Sequence, residues 1–209
     1  MIPNLKLQID RLVFFSDAVI AIAITLLIIE IKAPHLSEYT GNEGLEKLYH
    51  EYAPKFVSFL ISFFVIAIYW KAHHNLFGYL TSFTDQLIWI NILFLLGIVL
   101  MPFSSAFYSE NYASSIAYTT YCLNIIFTGI INCWLVRYIS SSKKNISSLS
   151  GNHKWTTYYT LRSVVAPLVF AISLLISFYS IVLSRFAFIL IFPIIYLLGK
   201  FFPKEKMVE

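Results

Sequence analysis

Residues 12–31 read LVFFSDAVIAIAITLLIIEI, and this stretch decides the class of fold. A helix that crosses a bilayer needs about 20 predominantly apolar residues. The stretch has that length, and its only acidic residues are Asp17 and Glu30. It is longer than the apolar part of a cleaved signal peptide, and no small-x-small cleavage site follows it. The sequence therefore predicts a retained membrane-spanning helix at the start of the chain.

The rest of the chain has the same character. Of its 209 residues, 58% are hydrophobic and 12% are charged, and the mean hydropathy is +0.73. A soluble domain is typically about 45–50% apolar and about 25% charged. The composition excludes a disordered chain, a collagen-like chain and a conventional soluble enzyme. Cys122 and Cys133 would be too far apart along one helix to form a disulfide.

Hydropathy predicts six spanning helices, so we expect an all-α polytopic membrane protein in which residues 1–209 form one transmembrane domain. The approximate spans are 12–31, 55–75, 87–107, 113–136, 159–183 and 186–202. The last division is placed at Ser184–Arg185, where one charged residue marks it. We also expect a short helix, over 44–52, in the loop that precedes the second span.

The distribution of basic residues predicts the orientation. An even number of spans puts both termini on one side. With the termini inside, eleven basic residues flank the inner ends of the helices, against four at the outer ends, namely Lys32, Lys47, Lys55 and Arg185. The positive-inside rule therefore favours a multi-pass protein of the cell membrane with both termini cytoplasmic. Topology explains the net charge of +4, so we expect no nucleic-acid partner.

Polar side chains cluster where three helices meet the expected inner surface. They are Arg11, Ser16 and Asp17 on the first helix, Trp70, Lys71, His73, His74 and Asn75 on the second, and Asp85 and Asn91 on the third. Ionisable groups within a membrane usually face protein or water. We expect one hydrogen-bonded cluster in which Asp17 accepts from a His, Trp or Asn donor. Alternatively, Asp17 is only a helix-end charge, and Arg11 and Lys71 extend to the headgroups.

The two adjacent histidines are poor candidates for a shared metal ligand pair. Neighbouring residues on a helix point about 100° apart, so His73 and His74 cannot readily coordinate the same metal ion. We therefore expect no metal site at this position, and a structural hydrogen-bonding role for the pair is the favoured interpretation.

The first helix has a distinct face beyond Asp17. At about 100° per residue, Ile22, Thr25, Leu26 and Ile29 share a sector a little over a quarter-turn wide. Periodicity by itself indicates contact with lipid or core for these side chains.

The motifs on the first three helices resemble those of the transmembrane-protein-175 family of potassium channels. The first helix carries Arg11-x-x-x-Phe15-Ser16-Asp17, followed after eight residues by Thr25. The second and third helices carry Trp70-x-x-His73-His74-x-Leu76-Phe77, Asn91 and Met101-Pro102-Phe103. The resemblance covers about the first half of the chain, and the later helices add only hydropathy.

This resemblance implies a homotetramer of six-helix subunits in a lipid bilayer, with helix 1 of each subunit lining a central pore. Rings of Ile22, Leu26 and Ile29 would constrict the pore, and Thr25 would add a hydroxyl ring that contributes to selectivity. The implied structural network consists of Arg11, Phe15, Ser16, Asp17, Trp70, His73, His74, Asn75 and Asn91. No cofactor is implied beyond permeant potassium ions, and the chain is not expected to be an enzyme.

Three other interpretations remain open, one of which is a purely structural membrane protein. A secondary transporter often shows paired repeats with broken helices, whereas the halves of this chain do not resemble each other. A membrane enzyme or metal-binding protein would use the inner His and Asp cluster, but the sequence carries no His-Glu-x-x-His motif and no phosphate-binding loop.

Overall fold

The computed structural model describes residues 5–141 and 143–202, and its regular elements there are helices. The α-helices are α1 (Leu5–Ile29), α2 (Gly41–Phe77), α3 (Asp85–Val99), α4 (Met101–Glu110), α5 (Ser115–Ile139), α6 (His153–Ser177), α7 (Ile181–Arg185) and α8 (Ile191–Phe201). Short 3-10 helices occupy Leu36–Glu38 and Ala187–Leu190. Six segments of the described chain are long and apolar enough to cross a membrane, since α3–α4 and α7–α8 each make one. The predicted all-α class is confirmed.

Capping side chains determine where several helices begin. The N-termini of α3, α5, α6 and α7 each have a side-chain oxygen that accepts a backbone N–H three residues later, an arrangement that satisfies an otherwise unpaired donor. These caps are Thr84, Ser114, Asn152 and Ser180, with distances of 3.2, 3.4, 3.0 and 3.3 Å. The cap at Asn152 starts the fifth spanning helix at His153, earlier than the apolar run indicates.

The last two spans divide earlier than expected. The boundary predicted at Ser184–Arg185 is wrong: α6 ends at Ser177 and α7 begins at Ile181. Ser180 produces the break, because its hydroxyl caps the new helix through the Leu183 N–H. Arg185, the charged residue that marked the predicted boundary, lies instead in the last turn of α7.

The second helix is much longer than its apolar core. α2 has 37 residues and would measure about 55 Å, whereas the hydrocarbon core of a bilayer is about 30 Å thick. The short helix expected over 44–52 is therefore the first part of α2 and not a separate element. Hydropathy detects only the lipid-facing part of such a helix, because its water-facing extension is polar.

Helix packing puts α1 against α2, α3 and α4, and pairs α5 closely with α6. The α5–α6 contact depends on Gly129, where an added Cβ would lie 2.6 Å from Pro167 Cγ. At one end of the bundle, the connection after α2 meets the connection after α5. There the Thr81 N–H donates to the Ile146 carbonyl at 3.0 Å, and the Ser148 N–H donates to the Tyr79 carbonyl at 3.0 Å.

Candidate functional site

Asp17 and Trp70 connect the first two helices. The indole Nε1–H of Trp70 donates to Asp17 Oδ1 at 2.9 Å. Asp17 is half-buried and Trp70 is exposed, so the bond lies at the edge of the helix pair. Of the donor types that the sequence offered to Asp17, the structure selects the tryptophan. The imidazole of His74 lies beside the same indole, with ring centroids 5.4 Å apart.

A buried chain of hydrogen bonds joins α1, α2 and α3. His73 Nε2 lies 2.9 Å from Asn91 Oδ1, and Asn91 Nδ2 donates to Ser16 Oγ at 2.8 Å. Ser16 Oγ in turn donates to the Leu12 carbonyl at 2.9 Å. An amide oxygen only accepts, so His73 Nε2 carries the proton. The bonds therefore run in one direction, from His73 through Asn91 and Ser16 to the backbone of α1.

The ring of His73 is held between two aromatic side chains. It stacks on Phe77, with ring centroids 3.9 Å apart, and on Phe94, with centroids 5.4 Å apart. His73, Asn91 and Ser16 are each fully buried. An imidazole stacked in this way suits a structural hydrogen bond.

The two adjacent histidines occupy different environments. His73 is buried, whereas His74 is exposed and packs beside Trp70. Within residues 5–141 and 143–202, no group of three or more His, Cys, Asp or Glu side chains is arranged to hold a metal ion.

Three residues that the resemblance assigns to the network do not join it within the subunit. Arg11 and Phe15 are exposed and line a shallow depression with Phe83. Asn75 is half-buried, and its side chain makes no hydrogen bond to the described part of the chain.

Two contributors to this site were not predicted from the sequence. One is the carbonyl of Leu12, which ends the hydrogen-bond chain, and the other is Phe94, which packs on His73. A signal existed for Phe94, since it lies three residues after Asn91 and therefore on the same face of α3. No sequence signal points to a backbone carbonyl.

The opposite face of α1 makes few contacts within the subunit. Ile22 is 59% exposed and Ile29 is 68% exposed, and Thr25 and Leu26 are also exposed. The buried side of the same helix carries Ser16, Ile20, Ala23 and Leu27. The residues predicted to share a face therefore do so, and that face points away from the helices that hold α1.

Thr25 presents an oxygen on this face. Its hydroxyl donates to the Ile22 carbonyl at 2.8 Å, which occupies its hydrogen. The lone pairs of Oγ1 remain available on the exposed side. A hydroxyl oxygen of this kind can coordinate an alkali cation, whereas the neighbouring Ile22 and Leu26 offer only hydrocarbon.

The first half of the chain is similar in sequence to known proteins. Residues 11–102 match the family model described as the endosomal/lysosomal potassium channel TMEM175. A potassium channel from Streptomyces collinus is 35% identical over 120 residues, which cover 56% of this chain and 57% of that relative. The endosomal/lysosomal proton channel TMEM175 of Gallus gallus is 36% identical over 107 residues, covering 48% of this chain and 21% of that protein. The chain thus spans little more than half of the bacterial relative and about a fifth of the vertebrate one.

A solved structure has the same fold. It is the crystal structure of a lysosomal potassium-selective channel TMEM175 homolog from Chamaesiphon minutus. The TM-score is 0.75 at 24% sequence identity, and the match covers 91% of this chain and 97% of that chain. Six apolar helices in this arrangement make the chain a multi-pass membrane protein. Residues 11–102 are thus similar in sequence to the TMEM175 family model, and the chain has the fold of the Chamaesiphon minutus structure.

Proposed function

We propose that the chain is the subunit of a potassium-selective channel of the cell membrane, with four copies arranged around one pore lined by α1. The proposal rests on the difference between the two faces of α1, one buried and one exposed. The buried hydrogen bond that Ser16 accepts from Asn91 and the packing of Ile20 fix one face, while Ile22 and Ile29 on the other face remain exposed. An apolar face of this kind could also contact lipid, but the bacterial relative's name favours the pore.

The proposed constriction closes by excluding water. Four copies of Ile22, with Leu26 and Ile29 on the following turns, form rings of hydrocarbon around the axis. A narrow apolar constriction stops ions by dewetting. Opening then requires α1 to rotate or tilt so that the rings widen. One subunit supplies a single wall, so conduction depends on the tetramer.

Selectivity in this proposal comes from partial dehydration at a narrow open ring. Potassium sheds part of its water shell at a lower cost than sodium does. The outward lone pairs of Thr25 replace some of the lost water, since the hydroxyl hydrogen is bonded to the Ile22 carbonyl. No cofactor is needed beyond the permeant ions. Both termini lie in the cytoplasm in this arrangement.

The rival interpretations lose support. The family and the relatives named above are ion channels, not enzymes. A secondary transporter differs from a channel in a measurable way, because its flux saturates and requires a counter-ion.

The test is ion flux through the purified full-length protein in liposomes, under a potassium gradient and then a sodium gradient. Potassium flux well above sodium flux, without saturation, is the expected result. Mass measurement of the intact complex in the same preparation should give four subunits. A monomer, or equal flux of both ions, would overturn the proposal.

A second candidate is proton conduction, which the name of the vertebrate relative suggests. It is tested in the same liposomes with an internal pH indicator and a proton gradient, with a potassium ionophore providing the counter-current. Proton flux that exceeds potassium flux would make this the principal activity.

A further inference from the structure

Arg185 is an unpaired cation beside an apolar cavity. Its Nη2 donates to the backbone carbonyl of Tyr112, and its guanidinium carbon lies 3.5 Å from the centroid of the Tyr112 ring. The ion pairs of the described chain are His50–Glu46 and Lys55–Glu51, so no carboxylate there neutralises Arg185. A guanidinium is always charged in proteins, and a half-buried one is normally paired with an anion.

Two polar atoms at this place lack a partner. Arg185 Nε and Ser58 Oγ are both buried and make no hydrogen bond to the described residues. Both side chains line the same cavity, which measures about 350 Å³. Buried polar groups in native proteins are nearly always satisfied, so an unsatisfied pair indicates a group that lies outside the chain.

Apart from Tyr108 and Tyr112, the remaining wall of the cavity is hydrocarbon. Val57, Val182, Phe186 and Ile189 line it, and each of these side chains is exposed on the bundle surface. A free anion would bury none of this apolar surface. An acyl chain would bury apolar surface against it, at about 25 cal/mol per Å².

The cavity lies at the end of the bundle away from the Asp17–Trp70 bond. Tyr112 belongs to the connection between α4 and α5, whereas Trp70 lies near the end of α2. Successive connections between spanning helices alternate between the two membrane surfaces. The cavity therefore opens toward lipid near the surface that we expect to be external.

We infer that this cavity binds an anionic phospholipid, with the phosphate at Arg185 and an acyl chain along the apolar wall. Guanidinium and phosphate form strong charge-assisted hydrogen bonds with matching geometry. The site is separate from the proposed pore face of α1, so its test does not depend on ion conduction.

The experiment measures lipid binding to the delipidated full-length protein in detergent. Phosphatidylglycerol and phosphatidylcholine with identical acyl chains are added in turn, and retained lipid is counted by native mass spectrometry alongside the melting temperature. The unmodified protein should retain phosphatidylglycerol and melt higher in it than in phosphatidylcholine. In R185Q, phosphatidylglycerol binding should weaken about tenfold, the effect of losing a charged hydrogen bond.

The matched control is K47Q, which removes the same charge from an exposed position outside the cavity. It should bind phosphatidylglycerol like the unmodified protein. If R185Q does not fold, V182W narrows the cavity while keeping the Arg185 guanidinium, and it should abolish the preference. Unchanged binding in R185Q or V182W would overturn the inference, and so would equal retention of the two lipids. Inorganic phosphate is a further arm, and an Arg185-dependent stabilisation of the same size by phosphate alone would identify a free anion and refute the lipid.

Discussion

His73 and Asn91 hold α2 and α3 together through one buried hydrogen bond, with Nε2 of the imidazole 2.9 Å from Oδ1 of the amide. The same amide donates to Ser16 at 2.8 Å, so a single side chain joins three helices. This bond lies on the face of α1 opposite to the proposed pore. It therefore holds the helix in position while leaving its other face free.

Replacing Asn91 should loosen this junction. Asn91→Ala leaves the buried His73 Nε2–H without an acceptor and removes the donor to Ser16 Oγ, which costs about 1–3 kcal/mol of folding stability. The melting temperature in detergent should fall by several degrees. Asn75→Ala is the control, because Asn75 makes no hydrogen bond to the described chain. Equal shifts for the two variants would contradict the role assigned to Asn91.

Trp70 and Asp17 should be energetically coupled. A double-mutant cycle with Trp70→Phe and Asp17→Leu removes the bond in each single variant, so the double variant should lose less stability than the sum. For residues in contact, coupling energies of about 0.5–3 kcal/mol are usual. Trp89→Phe serves as the control, since Trp89 is exposed on α3, and it should combine additively with Asp17→Leu. Additivity in the Trp70 cycle would show that the bond contributes nothing.

Ile22→Asn should raise the resting potassium flux in liposomes. An amide in each of four subunits wets the narrowest part of the proposed pore and removes the barrier that dewetting imposes. Ile28→Asn is the matched control on the same helix, about 120° around the axis from Ile22. Ile28 is also exposed, yet the potassium flux through Ile28→Asn should equal that through the unmodified protein. An unchanged flux in Ile22→Asn would place the constriction elsewhere.

Thr25 should affect the ratio of potassium to sodium permeability. Thr25→Val keeps the shape of the side chain but removes the oxygen, so the ratio should fall several-fold in gradient measurements. Thr25→Ser retains the hydroxyl and should keep the ratio. If the valine and serine variants behave alike, then selectivity does not come from this oxygen.

Gly129 should be intolerant of any side chain. In Gly129→Ala the new methyl lies 2.6 Å from Pro167 Cγ, and both atoms belong to packed helices that cannot separate cheaply. Overpacking of this kind costs about 1–3 kcal/mol, so the melting temperature should drop. Gly199→Ala has open space around the new methyl and should be neutral or slightly stabilising. A Gly129→Ala protein as stable as the Gly199→Ala protein would refute the close approach.

Much of the candidate site was predictable because the predicted spans place polar residues of three helices at the same membrane surface. Ser16 and Asp17 were expected to meet polar groups of the second and third helices, and they meet Trp70 and Asn91. The choice of partner was not predictable, since Trp70 and His73 were equally available to Asp17 by sequence. The partner depends on the angle between the two helices, and that angle cannot be read from residue spacing along one helix.

The sequence by itself determined the class of fold, because the length of an apolar run can be counted along the chain and compared with the thickness of the bilayer. It also determined which side chains of α1 share the sector of Ile22 and Ile29. Only the tertiary structure decided that this sector faces away from the other helices. It likewise placed Arg185 in a cavity with Ser58, far away in the chain. Burial and hydrogen-bond partners depend on distances between helices, and those distances exist only once the bundle has packed.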